Sequence, residues 1–91
     1  MTQPQMIVGI AWYRQEQYPL MLAVAVDPES MPKTYDEWLA RATQTMEGLR
    51  ERGLVPQKVD IDLKELVAWC EQEGRPLDGA ARATYARQRV N

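Results

Sequence analysis

Eight consecutive residues near the start of the chain, Met6-Ile7-Val8-Gly9-Ile10-Ala11-Trp12-Tyr13, carry no charge, and both of their alternating sets are apolar. In an extended backbone Met6, Val8, Ile10 and Trp12 line one face, and Ile7, Gly9, Ala11 and Tyr13 the other. β-Branched and aromatic residues at this length read as a strand, and a strand apolar on both faces has to be covered on both. Gly9 marks a place where something packs close to the backbone. A chain of 91 residues makes one domain with a modest core, so the remainder must supply both coverings.

The helix signals are local and strong. Thr34-Tyr35-Asp36-Glu37 has the form of a capping box, with Thr34 at the N-cap and Glu37 at N3. Tyr35, Trp38, Leu39, Ala42, Met46 and Leu49 follow at helical spacing, and Gly53 is a natural stop. Asp62 and Glu65 repeat the cap ahead of a helix that buries Leu63, Leu66, Val67 and Cys70, with Trp69 flanking the stripe and Gly74 and Pro76 ending it. Asp78 caps a last helix over about 79–89, whose apolar side is thin: Ala81, Tyr85 and Val90. Between these, residues 54–61 read as a second strand, with Val59 and Ile61 pointing one way and Lys58 and Asp60 the other. Pro56 belongs at its beginning or on an edge.

Residues 15–26 admit two readings. As a helix, the segment tolerates Pro19 in its first turn and lines one side with Tyr18, Met21, Leu22, Ala25 and Val26. As a strand, Leu20, Leu22, Val24 and Val26 alternate and form a hairpin with the first strand. The polar start and the Leu, Met and Ala content favour the helix. Residues 27–33, with two prolines, are a turn. The expected fold is therefore α+β, in the order β-α-α-β-α-α: a two-stranded sheet, three-stranded under the strand alternative, packed with about four helices. Residues 1–5 read as a disordered end and 6–91 as the single globular domain. Two strands separated by helices pair in parallel with a right-handed crossover.

Composition narrows the chemistry. The chain has no histidine and one cysteine, Cys70. That removes Cys/His zinc sites, Ser-His and Cys-His nucleophiles, and any internal disulfide. Cys70 falls in a buried stripe and reads as a small, inert hydrophobe. No apolar run approaches the roughly 20 residues of a membrane span. The first five residues lack a basic n-region, so the cytoplasm is the default compartment. A formal net charge of −2 lacks the basic bias of a free-standing nucleic-acid binder. Charge is unevenly spread: Arg75, Arg82, Arg87 and Arg89 outnumber Asp78 in the last 17 residues, after a run in which Asp60, Asp62, Glu65, Glu71 and Glu73 outnumber Lys64. The stretches read first as two solvated helix faces of opposite sign, and for Arg82, Arg87 and Arg89 pairing with the acids of 60–73 is favoured over a grip on an outside partner.

Three groupings are candidates for function. Trp12, Tyr13 and Arg14 close the first strand, where α/β folds commonly carry binding groups. Arg82 and Arg89, seven apart, share a helix face able to grip phosphate or an acidic partner. Asp60, Asp62 and Glu65 supply oxygen ligands at a strand-to-helix junction, though without EF-hand spacing. Trp38 and Trp69 read as core or subunit contacts. No phosphate loop, dinucleotide fingerprint or nucleophile elbow is present. The expectation is a non-catalytic protein–protein interaction or assembly module, self-associating as a homodimer or binding another protein, with no cofactor and no membrane partner. The alternatives are a nucleic-acid-associated regulator working through the arginine-bearing last helix, and a carboxylate-dependent, metal-assisted enzyme.

Overall fold

β1 (Ile7–Tyr13) and β2 (Val55–Ile61) lie side by side and parallel, with Ile7 opposite Val55 and Tyr13 opposite Ile61. The computed structural model describes residues 6–90; the expected disordered end at 1–5 lies outside the described residues. The helices are α1 (Tyr18–Val24), α2 (Tyr35–Glu51), α3 (Leu63–Glu73) and α4 (Gly79–Gln88), in the order β-α-α-β-α-α. The sheet has two strands among the described residues. Residues 15–24 take the helical alternative: a 3-10 turn at Gln15–Gln17 leads into α1, with Pro19 in its first turn.

The N-caps form where side-chain chemistry asks for them. Thr34 Oγ1 accepts from the Glu37 amide at 3.1 Å, and Asp62 Oδ1 from the Lys64 and Glu65 amides at 3.0 and 3.4 Å. Asp78 Oδ1 accepts from the Ala81 amide at 2.8 Å. Gly74 and Gly53 adopt φ of 64° and 80° just past α3 and α2, the left-handed backbone that stops a helix.

The ladder explains what each strand edge tolerates. The Val55 amide donates to the Met6 carbonyl at 3.0 Å, so the odd residues of β2 bond toward β1 and the even ones face outward. Pro56, Lys58 and Asp60 thus occupy the outer edge of β2. A missing donor does no harm there, and charge discourages strand addition. Val59 and Ile61 are buried, as their alternation predicts.

α4 packs on β1 and α2 on β2. Close approach of α4 depends on Gly9: a Cβ there would lie 2.9 Å from the Ala86 carbonyl oxygen and 2.5 Å from Val90 Cγ2. The core runs through Tyr18, Met21, Ile61, Leu66 and Tyr85, all almost inaccessible to solvent. Cys70 is buried, and burial pushes its thiol up.

Several expectations about side-chain placement fail: the first strand is not covered at its start, where Met6 and Ile7 are exposed, and Val67, expected in the buried stripe of α3, is half-buried. Val26 belonged to the buried stripe of the first helix but is exposed. The helix ends at Val24, Ala25 turns extended, and the Val26 amide donates to the Leu77 carbonyl at 3.0 Å, which leaves the side chain outside. Arg82, expected to pair with the acids of 60–73, pairs instead with Asp27 in the turn after α1.

Candidate functional site

Of the sequence candidates, Trp12, Tyr13 and Arg14 end β1 but do not converge on a common space. Tyr13 is buried and Trp12 half-buried. Both rings meet Trp38 of α2, at centroid distances of 5.0 and 5.1 Å, the Trp12 contact being edge-on. Tyr18 and Tyr35 complete this five-ring cluster around Trp38, at 6.0 and 5.4 Å. Lys58 Nζ sits over the Trp12 ring, 4.4 Å from its centre. Arg14 turns away from the rings. Its guanidinium clasps Asp60 with two bonds, of 3.1 and 2.6 Å, and its Nη1 lies 3.7 Å from Asp62. The Arg14 bonds hold the Asp60 carboxyl below its usual range. Asp60 and Asp62, two of the three acids proposed as oxygen ligands, are therefore drawn to an arginine and a helix cap, and no metal-holding group of three or more is found among the described residues.

Arg82 and Arg89 part company. Arg82 is 6% exposed, and its Nη1 and Nη2 donate to Asp27 Oδ1 and Oδ2 at 3.0 and 3.3 Å. Asp27 also accepts from the Gly79 amide and the Ser30 hydroxyl, each at 2.9 Å. Arg82 lies beside Tyr13, whose hydroxyl burial pushes up to about 12 against the pull of that cation. Tyr18 donates its hydroxyl to the Pro32 carbonyl at 2.6 Å, tying the same turn to the core. This knot fastens the 25–33 segment to α4. Arg89, at the C-cap of α4, lies over the Tyr85 ring, 3.4 Å from its centre. The face that was to present Arg82 and Arg89 together is divided between interior and rim.

The surface feature that stands out lies elsewhere. Leu20 and Val24, one turn apart on α1, are 57% and 47% exposed. They border two adjoining hollows of about 360 and 330 Å³ between α1 and α3. Val67 of α3 lines both; Lys64 lines the Leu20 end and Glu71 the Val24 end. The Leu63 amide donates to Gln17 Oε1 at 2.9 Å, which ties the start of α1 to the start of α3. The signal for it was in the sequence. Tyr-Pro-Leu-Met-Leu-Ala-Val is apolar all round, and a seven-residue helix resting on a core with Tyr18 and Met21 has apolar side chains left over.

No family model matches the chain, and no curated protein or solved structure matches it either. No helix among the described residues is long and apolar enough to cross a membrane.

Proposed function

We propose that this chain is a non-catalytic interaction module that docks a protein partner on the apolar strip between α1 and α3. The observation that carries the reading is the outward placement of Leu20 and Val24 over hollows floored by Val67. Large side chains grouped in this way are costly to leave in water, and a contiguous apolar groove with charged ends is the usual form of a helix-docking or subunit surface. Three groups that could otherwise serve chemistry are engaged within the fold: Asp60 with Arg14, Asp27 with Arg82, Tyr18 with Pro32. Cys70, buried and unpaired, suits a reducing compartment such as the cytoplasm.

A photo-crosslinking residue substituted at Val24, in the protein's native cells, tests the reading. A discrete covalent adduct is expected from position 24 and none from Thr43, an exposed position on α2. A lone 10.5 kDa band from both positions would remove the strip as a docking surface.

A further inference from the structure

The sheet leaves one side of β1 open. In its parallel pairing with β2 the even residues of β1 bond inward, so Ile7, Gly9 and Ala11 turn both amide and carbonyl to the outer edge. Among the described residues none of these groups has a backbone partner within the fold. Nothing blunts this edge: Ile7 to Tyr13 carry neither charge nor proline, whereas the outer edge of β2 carries Pro56, Lys58 and Asp60. Beside the open edge lies a hollow of about 310 Å³, lined on the strand side by Met6, Ile7, Val8 and Gly9 and on the helix side by Ala83 and Arg87 of α4. Ala83 and Arg87 lie one turn apart and are exposed. Among the described residues no carboxylate lines the hollow, and Arg87 has no ion-pair partner. None of these residues borders the α1–α3 strip.

Unpaired amides and carbonyls in alternation along a strand are complementary to an extended polypeptide backbone. We infer that the outer edge of β1 takes up an extended acidic peptide segment of another protein as a third strand, with an apolar side chain in the hollow and a carboxylate on Arg87. Side chains two apart on a strand share a face, so the segment carries its apolar residue and its Asp or Glu two positions apart, in either order. Charge decides between occupants. A second copy pairing β1 with β1 offers a strand without carboxylates and sets two Arg87 side chains beside one continuous edge, where they repel. An acidic segment gives Arg87 the counter-charge that the fold does not.

Selection of displayed random nonapeptides on the immobilised full chain tests the inference. It should enrich sequences with an apolar residue two positions from Asp or Glu. A labelled synthetic peptide of the enriched sequence, followed by fluorescence anisotropy, should bind Arg87→Glu about tenfold more weakly than the parent. Replacing the peptide's acid by lysine should reverse that preference. Ile7→Pro removes an amide that points away from β2, and it should weaken binding at least as much with an unchanged far-ultraviolet circular dichroism spectrum. If Ile7→Pro unfolds the chain, the Arg87→Glu and lysine-peptide swap decides alone. Leu20→Asp, on the α1–α3 strip, should leave binding as in the parent. No enrichment, enriched peptides without an acid, or binding indifferent to Arg87→Glu each overturns the inference. Loss on Leu20→Asp with Ile7→Pro unaffected overturns it as well, moving the peptide to the α1–α3 strip and leaving that docking surface standing. A chain that sediments at twice 10.5 kDa and turns monomeric with Ile7→Pro overturns it in favour of a second copy.

Discussion

Arg82, in the middle of α4, reaches both carboxylate oxygens of Asp27 from inside the protein, at 3.0 and 3.3 Å. The two residues are 55 apart in the chain, and Asp27 sits in the turn that carries the backbone away from α1. The pair closes the molecule across its helical side. Removing one partner is worse than removing both, because a buried charge without a partner keeps its desolvation cost.

Asp27→Ala should therefore be among the most damaging substitutions in the chain. It strands the Arg82 guanidinium and frees the Gly79 amide at once, while the Ser30 hydroxyl keeps its bond to the carbonyl of residue 27. Fully enclosed pairs lose about 3–5 kcal/mol on this kind of change; the Asp27 side chain is 24% exposed, so about 2–3 kcal/mol is expected. Arg82→Met should cost less. The carboxylate it leaves behind reaches solvent and keeps its bonds to Ser30 and Gly79. Urea unfolding of the two variants gives the comparison, and equal losses would contradict the account.

The same pair sets the acid limb of stability. Arg82 above all, then Ser30 and the Gly79 amide, hold the Asp27 carboxyl down from 3.8 to about 2. A carboxyl lowered in the folded state contributes stability that is whole above its unfolded value and is lost as pH falls through the folded one. Stability should thus decline between about pH 4 and pH 2, with Asp60, exposed and lowered in the same direction, adding a smaller share. Asp27→Asn should be less stable than the parent near neutrality, with the difference shrinking toward about pH 2. A constant gap across thermal melts in that range would show that the carboxylate is not the titrating group.

Arg14 offers a contrast, since its shorter bond to Asp60, at 2.6 Å, is tighter than either bond between Arg82 and Asp27, yet the pair sits in water. Exposed ion pairs exchange one set of hydrogen-bond partners for another and are screened by salt. Arg14→Ala should leave the urea midpoint nearly unchanged at physiological salt, with any small loss disappearing as salt rises. A loss comparable to that of Asp27→Ala would mean that Arg14 supports more than its visible partners.

These contrasts also mark what the sequence could and could not tell. Caps at Thr34, Asp62 and Asp78 were legible because a cap is made with amides two or three residues away. β2 was legible because Val59 and Ile61 against Lys58 and Asp60 is a period-two pattern with one wet side. Gly9 was legible as a close approach, though not the helix that makes it. Asp27 was not legible, since its partners lie 52 and 55 residues downstream and a turn aspartate between prolines looks ordinary. Arg82 was misplaced for the same reason: on a helix of alanines a cation reads as surface until a distant carboxylate draws it in. Leu20 and Val24 were hidden by the habit of assigning one buried stripe to every helix, where α1 carries apolar residues on all sides.

Two glycines should respond in opposite directions to the same added methyl group. A Cβ at Gly9 meets the Ala86 carbonyl oxygen and Val90 Cγ2. The valine can swing aside, but the carbonyl belongs to the α4 backbone and moves only if the helix lifts from β1. Overpacking of this kind costs about 1–3 kcal/mol, more than alanine gains over glycine in a strand. Gly48, inside α2, has nothing within 4 Å of its would-be Cβ, so Gly48→Ala should stabilise the domain by about 0.5–1 kcal/mol through helix propensity alone. Val90→Ala in the Gly9→Ala background should recover only part of the loss, because it clears the side chain and leaves the carbonyl. Urea titrations of the three variants check the order. A Gly9→Ala protein as stable as the parent would show that α4 does not lie against β1 as closely as described.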